Sequence, residues 1–188
     1  MMQRKLKMSA LLAALLLLNG TCAGAEESFA GWLFNFQRSK EVKPVTDSQY
    51  KSECSDCHFA YQPGLLPEKS WRNLLTAEAL KDHFGDNAEL DKDVLQAILD
   101  YAVENAADKS WYKRSRKIAV SASEGNVPLR ISEVHYIKRK HQDIPEKMIK
   151  GNAGVNSLSF CDKCHTQAVS GVFDADTVLI PNYPDWED

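Results

Sequence analysis

Glu53-Cys54-Ser55-Asp56-Cys57-His58, ECSDCH, is the stretch whose chemistry decides how the rest of the chain must fold. Two cysteines three apart can hold zinc, exchange a disulfide or carry haem. The histidine directly after the second cysteine favours haem, because C-x-x-C-H is the attachment pattern of c-type haem. The cysteines take the porphyrin vinyl groups as thioethers, and the adjacent imidazole is placed to bind one face of the iron. The pattern occurs again as CDKCH over Cys161–His165. A zinc site made of two C-x-x-C pairs has no use for a histidine after each. The 103 residues between Cys57 and Cys161 also exceed zinc-ribbon spacing. A thioredoxin-type pair comes once, in a βαβ setting that this sequence lacks. The two motifs therefore predict two covalently bound haem c groups. Cys54, Cys57, Cys161 and Cys164 are the attachment residues, and His58 and His165 the proximal iron ligands.

Outward from the motifs, the chain begins with an export address. Arg4, Lys5 and Lys7 precede the apolar run MSALLAALLLL (8–18), and AGA (23–25) offers small residues for cleavage. The run is shorter than a membrane span. Residues 1–25 are read as a cleaved signal peptide, with a retained anchor as the alternative, and the destination as the periplasm. Cleavage removes Cys22, so every remaining cysteine belongs to a haem motif. Residues 26–188 then carry 20 Lys and Arg against 26 Asp and Glu, a formal charge of −6. That balance disfavours nucleic acid as a partner.

The coarse organisation follows from breakers and caps. Residues 26–48, with FAGWLFNF (29–36), form an N-terminal extension. A first haem-binding half covers 49–120, the small and polar SASEGNVP (121–128) is a joint, and a second half covers 129–188. FAYQPGLLPEKSW (59–71) reads as a loop. Thr76 caps a helix over 77–84 that Gly85 ends, and Asp91 caps one over 92–108. Ser132 caps a third over 133–143, closed by Pro145. Strand signals are sparse, VLI (178–180) being the one short β-branched run near a motif. The fold class is mostly α: small helices and loops wrapped around two haems, which supply much of the apolar core that so short a chain lacks.

Each low-spin iron needs a sixth ligand, and the candidates can be counted. Outside the motifs, residues 26–188 hold His83, His135, His141 and Met148. Two His/Met haems are impossible, whereas two bis-His haems leave one histidine spare. His141 lies four residues after Ile137 and seven after Val134, on an apolar stripe. His83 follows Leu80 by three and Ala79 by four. His135 shares its face with Lys138, Arg139 and Gln142. His83 and His141 are thus the expected distal ligands, paired most simply as His58/His83 and His141/His165, with a crossed pairing equally allowed by the count.

These residues resemble the bacterial dihaem cytochromes c over most of residues 26–188. The likeness rests on CHFAYQPGLLPEKSW (57–71), DHFGDNAELD (82–91), NAAD (105–108), RKHQDI (139–144), and CDKCH with the following GVFDADTVLIP (171–181). The resemblance implies a periplasmic electron carrier, not an enzyme, predominantly helical and with both haems six-coordinate. It also implies redox-protein partners, a small oxygen-binding monohaem cytochrome among them. The rival reading is a peroxidase-like enzyme or gas sensor, which needs one open iron position. The basic runs KRSRK (113–117) and KRK (138–140) are read as solvated faces, or as sites for a haem propionate or an acidic partner.

Overall fold

In the computed structural model, residues 40–123 and 127–186 are described, so the expected signal peptide and most of the N-terminal extension lie outside them. Among the described residues there are six α-helices, several single 3₁₀ turns and no strand: α1 Ser48–Cys54, α2 Glu68–Leu74, α3 Ala77–Lys81, α4 Lys92–Glu104, α5 Lys113–Ser123 and α6 His135–His141. The fold is mostly helical, as expected. Short helices of this kind are marginal alone and persist because each lays an apolar stripe on its neighbours.

The first half is organised by α4. Its Ile98, Ala102 and Val103 are buried, and α1 and α2 both pack on it. α1 starts at Asp47, whose carboxylate accepts the Tyr50 N–H at 2.7 Å, and ends on the first haem-motif cysteine. Tyr50 is buried against Tyr101 of α4, and its hydroxyl donates to the Tyr61 carbonyl at 2.8 Å. The position of Cys54 is thereby tied to α4. α2 contributes buried Trp71, whose indole N–H reaches the Pro63 carbonyl at 2.8 Å. The second half is a chain of 3₁₀ turns and loops after α6, with α6 packed on α5.

Several boundaries differ from the sequence reading, for local reasons. The stretch 59–71 is not all loop: Pro63–Leu65 is a 3₁₀ turn and α2 begins at Glu68. Pro67 there serves as the N-cap residue, so it starts a helix where it was expected to break one. α3 stops at Lys81, short of the expected residue 84. The Asp82 carboxylate accepts the Gly85 N–H at 2.8 Å, and Phe84 (φ 62°) and Gly85 (φ 110°) turn left-handed. α4 ends at Glu104, and Ala107–Lys109 follows as a separate 3₁₀ turn. α6 covers only 135–141, because Ser132 sits in the 3₁₀ turn Ile131–Glu133 and Val134 is the N-cap. The run KRSRK lies inside α5, a helix the sequence reading did not identify, and α5 reaches Ser123. Residues 124–126 of the expected joint lie outside the described part.

Candidate functional site

His58 follows α1 after the exposed Cys57. Its Nδ1 lies 2.9 Å from the Phe59 carbonyl oxygen, and its ring is stacked on Tyr61 at 4.3 Å between centroids. A histidine whose Nδ1 is held by a backbone carbonyl presents Nε2 outward, the usual arrangement of a metal-binding imidazole. Burial pushes the Cys54 thiol up to about 12, with Glu53 adding to the shift.

His83 sits in the tight turn after α3, where its backbone N–H donates to the Asp86 carbonyl at 2.7 Å. Burial holds the imidazole below its usual value, and His58 and Arg130 push in the same direction. Its Nδ1 is buried with no hydrogen-bond partner in the protein. The guanidinium of Arg130, from the other half of the sequence, lies 3.8 Å over the Phe84 ring and so covers this turn.

The second motif is a 3₁₀ turn, Cys161–Lys163, continued by Cys164 and His165. The His165 N–H donates to the Cys161 carbonyl at 2.8 Å, and the tail returns to it: the Leu179 N–H donates to the Cys164 carbonyl at 2.8 Å. The β-branched VLI run therefore forms a single bridge to the motif, between Val178 and His165. Burial pushes the Cys161 thiol up to about 12.

His141 ends α6 with its Nδ1 2.8 Å from the Ile137 carbonyl oxygen, and its ring lies 6.0 Å from that of His165 at 73°. Two imidazoles sharing one metal at bonds of about 2.0 Å each place their ring centres about 6 Å apart, so this pair fits the two faces of one porphyrin iron. Burial, then His141 and Arg114, push His165 down to about 4. The imidazole is thus neutral at physiological pH, with a lone pair available for a metal. Its Nδ1, like that of His83, is buried without a partner. Among the described residues no three His, Cys, Asp or Glu side chains form a cluster able to hold a bare ion. Paired histidines suit a porphyrin, which brings four nitrogens of its own. His135 is exposed at the start of α6, and Met148 is buried.

Three features escaped the sequence reading. The Glu41 carboxylate and Arg114 guanidinium form a largely buried ion pair, 8% and 13% exposed. Arg114 also donates to the Tyr136 hydroxyl and the Phe173 carbonyl, both at 3.1 Å, and Glu41 accepts the Phe173 N–H at 3.2 Å. This network holds the Phe173 ring edge-on to His165 at 5.3 Å. Tyr61, stacked on His58, donates its hydroxyl to the carbonyl of Ser159, two residues before Cys161, and so joins the two motifs. Arg130 over Phe84 is the third. Arg114 lay in a basic run and Tyr61, Phe84 and Phe173 in stretches the sequence had singled out, but nothing in the sequence paired them with their partners.

The comparisons with known proteins bear on the same residues. A family model described as dihaem cytochrome c matches residues 50–173. Among solved structures, the chain is similar to a diheme cytochrome type c from Shewanella baltica at 37% identity and a TM-score of 0.60, over 74% of this chain and 97% of that one. It is similar to a diheme cytochrome c from Rhodobacter sphaeroides at 39% identity and a TM-score of 0.60, over 70% of this chain and 100% of that one. None of the curated proteins matches it.

Proposed function

Since the chain belongs to the dihaem cytochrome c family and carries two covalently bound haem c groups, we propose that it is a periplasmic electron carrier with two bis-His low-spin haems. Cys54 and Cys57 attach one haem and Cys161 and Cys164 the other. His58 and His83 are the axial ligands of the first, His165 and His141 those of the second. The observation that carries this reading is the 6.0 Å separation of His141 and His165.

The haems supply a reversible one-electron change at iron. The chain's part is to hold the imidazoles in place and neutral, so that the coordination shell is the same before and after the electron moves. Backbone carbonyls fix His58 and His141 by Nδ1, while burial keeps His165 and His83 from protonation. Full axial ligation leaves no position for a substrate, which favours outer-sphere transfer between docked proteins, a small oxygen-binding monohaem cytochrome being the partner we favour. Bis-His ligation keeps both potentials low relative to His/Met haems.

Optical spectra of the reduced protein with and without carbon monoxide test the reading. They should be superimposable. A carbon monoxide adduct in the native protein would mean an open iron and would replace the carrier with an enzyme or sensor.

A further inference from the structure

The two basic runs, 20 residues apart in sequence, lie on α5 and α6, which pack against each other. Ile118 of α5 and Tyr136 of α6 are both buried, and the Ser121 hydroxyl accepts the Tyr136 N–H at 3.3 Å. The packing brings Lys113 and Lys117 of α5 and Lys140 of α6 around one open cavity of about 210 Å³, with Tyr136 and Arg114 in its wall. Glu41 and Asp174 also line it. Glu41 is already joined to Arg114. The three lysines are exposed, and with Arg114 they set four cations against the two carboxylates of the lining. A chain of net charge −3 thus gathers a concentrated positive site at one place.

That place adjoins the second haem site. Lys140 precedes His141, and Arg114 holds the Phe173 carbonyl while the Phe173 ring touches His165. We propose that the cavity bounded by Lys113, Lys117 and Lys140 is the docking site for an acidic protein surface. It would bring the partner's Asp and Glu side chains against α5 and α6 and its redox centre next to the His141/His165 haem. Charge complementarity is the argument for this occupant: a cluster of exposed cations in excess over the neighbouring carboxylates, beside a redox centre, attracts anions and raises the rate of productive encounter. This inference rests on the electron-carrier reading above and adds to it which haem faces the partner.

Charged inorganic oxidants and an acidic peptide serve as probes. The reduced protein is mixed with ferricyanide, which takes one electron from ferrous haem and leaves as ferrocyanide, or with hexaammineruthenium(III), a cation of the same outer-sphere type. In Lys113→Gln/Lys117→Gln/Lys140→Gln, the ferricyanide rate at low ionic strength should fall about tenfold, and the difference should vanish at high salt. The hexaammineruthenium rate should not fall. Hexaglutamate should slow ferricyanide oxidation of the native protein and leave the variant unaffected. A control, Lys69→Gln/Lys92→Gln/Lys147→Gln, removes equal charge from residues that do not line the cavity and should keep most of the rate. Equal rates in the two triple variants would overturn the proposal. So would a shifted midpoint potential in the first variant without a difference between oxidants, since the lysines would then be neutralising the haem's own propionates. The underlying carrier reading fails separately, if neither oxidant changes the haem spectrum of any form.

Discussion

His135 and His141 stand six residues apart on one short helix, and orientation separates them. His141 lies beside Ile137 with its ring 6.0 Å from His165, while His135 is exposed. An axial imidazole must come from the buried side, where water does not compete for the iron and where the neutral form prevails. His141→Ala should therefore convert one haem from low-spin to a site that binds carbon monoxide when ferrous, and His83→Ala should do the same at the other. His135→Ala should change neither spectrum. Electron paramagnetic resonance with carbon monoxide difference spectra on the three variants checks this. A high-spin signal from His135→Ala with none from His141→Ala would reverse the assignment. At the first site, Arg130→Leu should shift the midpoint potential of one haem, because it removes both a fixed charge near His83 and the cover over Phe84. Arg130→Lys, which keeps the charge, should recover most of the shift in a redox titration.

At the scale of elements, the second motif is held by contacts from distant parts of the chain. Glu41 and Val42 donate their N–H groups to the Gly171 carbonyl at 2.8 and 3.1 Å, which fixes the segment before α1 against the loop after His165. Gly171 has φ 77°, and a Cβ there would meet the Val42 carbonyl oxygen at 2.1 Å. Gly171→Ala therefore combines left-handed strain with a backbone clash, and should lower stability by about 2–3 kcal/mol, read as the shift in a denaturant melt. Glu41→Gln leaves the Arg114 guanidinium largely buried without its counter-charge. A loss of about 3 kcal/mol is expected, together with a change at the second haem alone, since Phe173 loses its anchor beside His165. Ile118 of α5 is fully buried, so Ile118→Ala should cost about 2–4 kcal/mol and loosen α6 with it.

At the scale of the molecule, the described residues form short helices and single turns that carry the four motif cysteines and the four histidines proposed as ligands, all within one compact unit. So short a chain buries a limited apolar core, and two haems add a large apolar surface to it. Intact-mass spectrometry of exported protein should show the polypeptide plus two haems. Cys57→Ala or Cys164→Ala should remove one thioether and reduce attachment at its own site. Protein with all four motif cysteines changed to Ala should carry no covalent haem, and should be cleaved faster by protease with a lower melting temperature. A variant that kept the native melting temperature would show that the polypeptide core suffices without haem.

The sequence by itself determined the cofactor chemistry and the ligand supply. C-x-x-C-H is a local pattern in which attachment and proximal ligation lie within five residues, so reading it requires no tertiary knowledge. Helical periodicity likewise separated His141 from His135, because a helix face is set by spacing along one element. Periodicity missed α1, α2 and α5. Pro67 reads as a breaker yet caps α2, and the charges of KRSRK hide a helix whose stripe rests on Ser115 and Ile118. Only the tertiary structure decided what crosses the chain: the Glu41–Arg114 pair behind Phe173, Tyr61 reaching Ser159, Arg130 over Phe84, and the lysines of α5 and α6 around one cavity. Each of these joins residues about twenty or more positions apart. Their contact depends on how helices pack, and no periodicity within a single segment encodes it.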